Sequence, residues 1–252
     1  MKLQDYIKEF SDIECANMFL REKVGMRIRK FPLSTGNLYS YEVPEFKSFF
    51  LDPSAEIVYA GRRNYPVFRR EYVTGICWQE AFLEEALSGI SVLIYNYNGS
   101  IFMGTPESPS GEALVPGKVI NYSLMVKRVL VRALKKRAIK NEKNTISKCV
   151  ELFKPDLFYH MLYIPKEEEL YLISVVKKDG LRELPYQELR QIAASLGVLL
   201  PRTKKLTSNT LFEQVAGSWV LKTTEKLYRE NIPEASNKKI YLRDNHSRFK
   251  IV

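Results

Sequence analysis

The sequence is short of cysteine and histidine and has no long apolar run. Its 252 residues include three cysteines, which stand far apart, and only two histidines. Three widely spaced cysteines without a Cys-x-x-Cys pair cannot build a disulfide framework and do not indicate a zinc site. No apolar stretch approaches the roughly 18 residues that cross a bilayer, and the charged N-terminus lacks the apolar region of a signal peptide. These absences favour a soluble, cytoplasmic protein that does not enter a membrane.

Low-complexity and disordered classes are excluded as well. The 12 glycines and 12 prolines are scattered without a period, and apolar residues make up 45% of the chain, which is enough for a hydrophobic core. Acidic residues are the minority charge: 29 Asp and Glu stand against 39 Lys and Arg, which gives a formal net charge of +10. This excess favours a polyanionic partner, but composition alone is weak support because many basic proteins bind no nucleic acid.

Short extended segments outnumber helical ones along the chain. The clearest is a hairpin, because the turn pair Asn98-Gly99 separates strand-like runs at 90–95 and 100–105. Further strands are predicted at 38–41, 55–60, 67–72, 158–163, 170–176, 218–223 and 239–242, and helices at 1–30, 119–140, 146–153 and 185–196, the last capped by Gly197. Runs of strands interrupted by a few helices predict an α+β fold with antiparallel sheets.

One predicted helix concentrates the positive charge. Residues 118–143 contain nine Lys and Arg, with Glu142 as the single acidic residue. Leu124, Val131 and Leu134 are expected to form its buried side. A solvated surface helix is the simplest interpretation of a charge run. However, this excess repels itself unless an anion lies nearby, and a phosphate backbone would provide one. We therefore predict a nucleic-acid-binding surface. Its residues are Lys127, Arg128, Arg132, Lys135, Lys136 and Lys140.

Several segments follow one another in a recognisable order. They are Tyr59-Ala60-Gly61-Arg62-Arg63 with Pro66-Val67-Phe68-Arg69-Arg70, Glu84-Glu85-Ala86-Leu87-Ser88-Gly89 before the hairpin, 170–176 with Asp179-Gly180, 184–189 and 196–198, Val215-Ala216-Gly217-Ser218-Trp219-Val220-Leu221, and Arg248-Phe249-Lys250-Ile251. In order and spacing they resemble the ATP-dependent RNA ligases, most closely the phage RNA-ligase-1-like branch of the covalent nucleotidyltransferase superfamily. The resemblance covers roughly residues 50–252.

The resemblance implies a fold and a chemistry. The fold is a nucleotidyltransferase (ATP-grasp-like adenylation) core of two antiparallel sheets flanked by helices, at 51–252, with a helical and extended addition at 1–50. The chemistry begins when a lysine attacks the α-phosphate of ATP and holds AMP as a phosphoramidate. The AMP then passes to an RNA 5′-phosphate, which is joined to a 3′-hydroxyl, usually with Mg²⁺. Residues 84–89 are similar to the lysine motif, Lys-x-Asp-Gly, and a cluster of four arginines that precedes them could hold phosphates by bidentate hydrogen bonds. These are Arg62, Arg63, Arg69 and Arg70.

The residues that carry out this chemistry are missing. Ala86 stands in the place of the nucleophilic lysine, and alanine has no nucleophile. Ser88 stands in the place of the aspartate of the same motif.

The other signature positions depart from the pattern as well. Pro106 follows the hairpin where an arginine is expected, and the glutamate of the next core strand falls near His160 or Met161. The metal-associated glutamate falls at Ala216. Mg²⁺ prefers carboxylate oxygens, and both expected carboxylates are absent. The signature residues that survive are Gly89, Gly217 and Lys250.

Simpler interpretations exist for several of these positions. Glu84 and Glu85 are most simply a solvated helix end, and His160 is most simply a partly buried, hydrogen-bonded core residue. Lys250 is either a remnant phosphate-binding lysine or an ordinary surface lysine.

Three functions remain open at this point. The first is a pseudo-ligase that binds RNA, or joins a larger ribonucleoprotein complex, without adenylyl transfer and without ATP or Mg²⁺ as cofactors. The second is an active ATP-dependent RNA ligase that uses ATP and Mg²⁺ and in which Ala86 replaces the nucleophile. The third is a structural subunit that acts through protein contacts.

Overall fold

The structure is a computed structural model that describes residues 3–44, 46–62, 82–137, 151–205, 219–223 and 247–251. Packing divides the chain into two units. The first comprises Met1–Arg63 and Gly89–Leu200, and the second comprises Asn64–Ser88 and Pro201–Val252. The prediction that residues 1–50 are an addition to a ligase-like domain at 51–252 stays a prediction.

The elements of the first unit are, in chain order, α1 (Leu3–Ile7), α2 (Ile13–Val24), β1 (Ile28–Leu33), β2 (Gly36–Tyr41), β3 (Phe49–Leu51), β4 (Ile57–Ala60), β6 (Ile90–Tyr97), β7 (Ser100–Gly104), α3 (Tyr122–Arg137), β8 (Leu157–Ile164), β9 (Glu169–Lys177) and α4 (Tyr186–Leu196). The strands form two antiparallel sheets, with the orders β1-β2-β3-β4 and β7-β6-β8-β9. The elements of the second unit are β5 (Phe82–Glu85), β10 (Thr203–Lys205), β11 (Trp219–Thr223) and β12 (Ser247–Ile251).

The N-terminal region is only partly helical. Helix α2 begins after Asp12, whose carboxylate accepts a hydrogen bond from the Cys15 backbone N–H at 2.8 Å. It ends at Gly25, which has the left-handed backbone (φ 71°) that glycine adopts at helix ends. The prediction of a helix up to residue 30 is therefore wrong, since residues 28–30 pair in β1 with β2.

The predicted hairpin is confirmed. Strands β6 and β7 pair from Leu93↔Gly104 to Tyr97↔Ser100. Asn98 and Gly99 both have positive φ, 49° and 78°. This is the requirement of a type I′ turn, whose twist matches that of the two strands.

Side chains alternate across the β7-β6-β8-β9 sheet and build a core on each face. On β6, Leu93 and Tyr95 are buried among residues of the β1–β4 sheet, and the Tyr95 ring lies 5.5 Å from that of Tyr59. Val92 and Ile94 are buried on the opposite face, among residues of α3 and α4. Neighbouring residues of β6 thus face opposite layers, as the period of two of a strand requires.

Helix α3 begins where Asn121 accepts a hydrogen bond from the Leu124 backbone N–H at 2.8 Å, and residues 138–140 of the prediction lie outside the described residues. Its buried side differs from the predicted one. Leu134 is buried as expected, but Leu124 and Val131 are only half-buried. The helix is rotated so that Met125 and Val129, one turn apart, face the sheet. Helix α4 ends as predicted at Gly197, with φ 65°.

The second unit contains a four-stranded antiparallel sheet of order β10-β5-β11-β12. Strand β5 therefore has a neighbour on each side, β10 and β11. The architecture is α+β, with antiparallel sheets flanked by helices, as predicted. The predicted elements at 67–72, 138–150 and 239–242 fall outside the part of the chain that the structure describes.

Candidate functional site

The residues before Ala86 belong to a strand and not to a helix end. Glu84 in β5 is buried, with 2% of its surface exposed. Glu85 is half-buried and accepts two hydrogen bonds from the Arg202 guanidinium, at 2.9 and 2.6 Å. The Arg202 hydrogen bonds lower the pKa of Glu85. The interpretation of these two glutamates as a solvated helix end is wrong, because β5 pairs on both of its edges.

Ala86 follows the last residue of β5 directly. Its methyl group is half-buried, and Ser88, two positions later, is exposed. Neither side chain can do what the resemblance requires at its position. A methyl group cannot attack a phosphate, and a neutral hydroxyl cannot replace an ionised carboxylate as a hard ligand.

Gly89 is retained at a point of close backbone approach. A Cβ atom at this position would lie 2.6 Å from the carbonyl oxygen of Tyr163 in β8. Real Cβ atoms do not come this close to a backbone oxygen, so only glycine fits there without a shift of the strand. The packing of β8 against the start of β6 is therefore sufficient to explain Gly89.

The position of the expected glutamate in β8 is taken by a buried histidine. His160 is 3% exposed, and its Nε2 lies 3.4 Å from Ser91 Oγ. Its Nδ1, and Oγ of the adjacent Ser174, have no hydrogen-bond partner within the described ranges. Met161, the alternative position, is fully buried on the opposite face of the sheet, among the residues that pack against α3 and α4. His160 is thus more buried, and less completely hydrogen-bonded, than the sequence predicted.

Two cations act on His160. Burial, the largest cause, and the charges of Arg62 and Lys47 lower its pKa from 6.5 to about 3. The imidazole is therefore neutral at physiological pH. Arg62 is half-buried, and its carbonyl oxygen accepts a hydrogen bond from the Lys47 backbone N–H at 3.0 Å. Positive charge thus surrounds a position where the resemblance places a carboxylate.

Mg²⁺ does not fit the residues that stand in these positions. Ala86 and Ser88 offer a methyl and a hydroxyl in the second unit, and His160 separately offers a neutral imidazole in the first, whereas Mg²⁺ binds carboxylate and phosphate oxygens. Across the described ranges, no three His, Cys, Asp or Glu side chains cluster as metal ligands. Covalent attachment of AMP to position 86 does not fit either, because the residue directly after β5 is Ala86.

The hairpin also lacks the expected arginine. Thr105 and Ser108 close a tight turn around Pro106, with the Thr105 N–H donating to Ser108 O at 2.9 Å and the Ser108 N–H donating to Thr105 Oγ1 at 3.1 Å. Thr105 is buried, with 3% of its surface exposed. This segment therefore serves the packing of the β7–α3 loop.

Part of the positive charge on α3 is neutralised within the molecule. Arg132 pairs with Glu168 at 2.6 Å and also donates to its main-chain carbonyl. Lys136 pairs with Glu169 at 3.3 Å. The hydrogen bond with Arg132 lowers the pKa of Glu168 and raises that of Arg132. Glu168 lies in the β8–β9 turn and Glu169 is the first residue of β9, so a charge count over residues 118–143 could not include them.

The remaining basic residues of α3 differ in exposure. Arg128 and Lys135 are exposed, and Lys127 is half-buried. Among the described residues, none of these three pairs with a carboxylate. Lys250 lies in β12, opposite Val220 of β11. The other predicted site residues lie outside the described residues: Arg63, Arg69, Arg70, Lys140 and Ala216.

The fold defines a class of protein. The sequence matches no family model and no curated protein. Among solved structures, a protein from Aquifex aeolicus that is assigned as an ATP-dependent DNA ligase is similar over 94% of this chain, with a TM-score of 0.50 and 12% identity. The chain therefore has the nucleotidyltransferase fold found in ATP-dependent ligases.

Two forms of an archaeal ATP-dependent RNA ligase are also similar in structure. They cover 100% and 88% of this chain, with TM-scores of 0.46 and identities of 12% and 13%. The chain spans 61% of the Aquifex aeolicus structure and 64% and 61% of the two archaeal ones. No helix within the described residues is long and apolar enough to cross a membrane.

Proposed function

We propose that this protein is a ligase-fold RNA-binding protein that does not carry out adenylyl transfer. The observation that carries the proposal is Ala86, which directly follows β5 where the fold's covalent chemistry needs a lysine amine. Without that amine, no bond to the α-phosphate of ATP can form, and no activated AMP is available for an RNA 5′-phosphate.

Two further positions of the expected pattern support the same conclusion. Ser88 and His160 also lack the carboxylates that would hold Mg²⁺ on the phosphates. A single replaced lysine would leave the rest of a catalytic site intact. Here the described positions have changed together, and the neutral His160 lies close to two cations. We therefore favour a pseudo-ligase over an active ligase with one substituted residue.

The positive surface gives the remaining function. Arg128 and Lys135 are exposed on α3, and the chain carries a formal net charge of +10. Contacts of such groups with an RNA backbone release counterions, which makes binding strongly salt-dependent. We thus propose that the protein shares a nucleic-acid ligand with ATP-dependent ligases and lacks their adenylyl transfer.

The test is a binding titration with a fluorescent single-stranded RNA of mixed sequence at several salt concentrations. If Arg128 and Lys135 each contact a phosphate, the logarithm of the binding constant falls with the logarithm of salt with a slope of about −1.4 or steeper. Absence of binding at low salt would reject the proposal. Isolation of the protein in a nuclease-resistant protein complex, without RNA affinity, would instead favour the structural subunit.

A further inference from the structure

Four basic residues form one stripe along α3. At 3.6 residues per turn, each residue is rotated by about 100° from the previous one. Lys135, Arg128, Arg132 and Lys136 then follow one another around the helix over a sector of about 100°. The buried sector of the helix is centred on Val126 and Ala133. Lys135 and Arg128 lie on the side away from it, whereas Arg132 and Lys136 lie at its edge. A single face of the helix therefore presents four positive side chains.

An acidic segment covers half of this stripe. We call residues Glu167–Glu169, which comprise the end of the β8–β9 turn and the first residue of β9, the acidic turn. Glu168 and Glu169 of the acidic turn pair with Arg132 and Lys136, while Arg128 and Lys135 on the other half of the stripe have no carboxylate partner in the described part of the chain. The stripe is thus divided into a covered and an open half.

The backbone conformation of the acidic turn directs Glu168 toward α3. Glu168 has φ 52°, a left-handed conformation that is uncommon for residues other than glycine. In this conformation both its carboxylate and its main-chain carbonyl accept hydrogen bonds from the Arg132 guanidinium. Glu167 has a different role, since its carboxylate accepts a hydrogen bond from the Tyr171 hydroxyl at 2.7 Å and not from a base of α3.

These contacts are displaceable. The Arg132 and Glu168 side chains are 40% and 53% exposed, and ion pairs at such sites contribute little and are screened by salt. A polyanion presents many charges along one chain and gains from counterion release, so it can replace the exposed Glu168 carboxylate. A single phosphate has no such advantage. The Glu169 side chain is only 16% exposed, so its pair with Lys136 is the harder of the two to displace.

We propose that the acidic turn is an internal competitor for RNA, in which two carboxylates occupy the places on Arg132 and Lys136 that backbone phosphates take in the complex. This inference rests on the proposed RNA-binding function. RNA first contacts Arg128 and Lys135, then displaces the acidic turn and uses the whole stripe. The device selects an extended nucleic-acid backbone over mononucleotides and isolated phosphates.

The experiment compares matched Glu→Gln variants of the full chain with the same fluorescent single-stranded RNA. Glu168→Gln and Glu169→Gln each remove the partner of one basic residue of α3. Glu167→Gln is the control, since it makes the same charge change nearby but its carboxylate pairs with Tyr171 and not with a basic residue of α3. We expect Glu168→Gln to bind about three to ten times more tightly, with a salt slope steeper by about 0.7. We expect Glu167→Gln to bind like the native protein, and thermal unfolding checks that each variant is folded.

The outcomes separate the two proposals. If Arg128→Glu/Lys135→Glu weakens binding while Glu168→Gln, Glu169→Gln and Glu167→Gln all bind alike, the acidic turn is not a competitor and the RNA-binding proposal stands. If neither the native protein nor any variant binds the RNA, the proposed function is wrong, and this inference is wrong as well. Tighter RNA binding by Glu168→Gln than by both the native protein and Glu167→Gln would support the competitor.

Discussion

Arg132 of α3 holds Glu168 of the acidic turn by both its side-chain carboxylate and its main-chain carbonyl, across 36 positions of sequence. This ion pair changes how the basic residues at 118–143 are interpreted. In the sequence, residues 118–143 include nine basic residues and one acidic residue. In the fold, Glu168 and Glu169 pair with Arg132 and Lys136, whereas Arg128 and Lys135 are exposed and have no carboxylate partner among the described residues.

Charge reversal at the open half of the stripe tests the RNA surface. We expect Arg128→Glu/Lys135→Glu to lower RNA affinity by about tenfold or more at low salt, because two phosphate contacts become repulsions. Binding isotherms by fluorescence anisotropy measure the effect. Lys23→Glu/Arg29→Glu is the control, since it changes the net charge equally at two exposed residues outside α3. Equal losses in the two variants would mean that only the total charge matters.

A lysine at position 86 tests the proposed absence of adenylyl transfer. We expect Ala86→Lys to form no covalent adduct when the folded protein is incubated with radiolabelled ATP and Mg²⁺ and then denatured. The reason is that Ser88 and His160 still lack the carboxylates that would hold the metal. A labelled band that survives denaturation would contradict the proposal and favour a ligase disabled at one residue. Ala86→Lys/Ser88→Asp extends the test to the second lost position of the motif.

His160 makes the stability depend on pH. Its pKa is about 3 in the folded chain and 6.5 ordinarily, so between these values the unfolded state binds more protons. Stability therefore rises with pH in this window, and it falls on acidification by at most about 1.4 kcal/mol per pH unit from this one proton. We expect His160→Gln to show a shallower decline between pH 6.5 and 4.5, a range above the carboxyl pKa values of about 4, in urea unfolding followed by circular dichroism. Parallel declines in the variant and the native protein would show that His160 does not contribute.

Gly89→Ala tests whether this glycine is retained for packing. The added methyl would meet the Tyr163 carbonyl oxygen at 2.6 Å, so β6 or β8 must shift. We expect a loss of about 1–3 kcal/mol in the free energy of unfolding, measured by urea titration. Ser88→Ala, at the exposed neighbouring position, should stay within about 0.5 kcal/mol of the native value. If both variants are equally stable, the close approach is not a constraint.

Local signals predicted the elements whose turns depend on special residues. Asn98-Gly99 fixed the β6–β7 hairpin, and Gly197 fixed the end of α4, because both positions need a backbone that few residues adopt. The environment of Glu84 could not be predicted in this way. Its burial follows from pairing of β5 with β10 and β11, whose residues lie more than a hundred positions later.

In the candidate site, too, one feature is visible in the sequence and another depends on the fold. Absence of a nucleophile at Ala86 is visible in the residue itself, because no packing gives a methyl group an amine. The neutral state of His160 required the fold, since the pKa depends on burial and on Arg62 and Lys47, which come from another part of the chain.

The sequence by itself determined the α+β class, the basic helix and the alanine at position 86, since these depend on residue type, local turns and short-range periodicity. Only the tertiary structure decided which charges of the basic helix stay open. The physical reason is that ion pairs act over a few ångströms in space. The turn between β8 and β9 brings Glu168 and Glu169 within 2.6 and 3.3 Å of Arg132 and Lys136, and no local pattern specifies that approach.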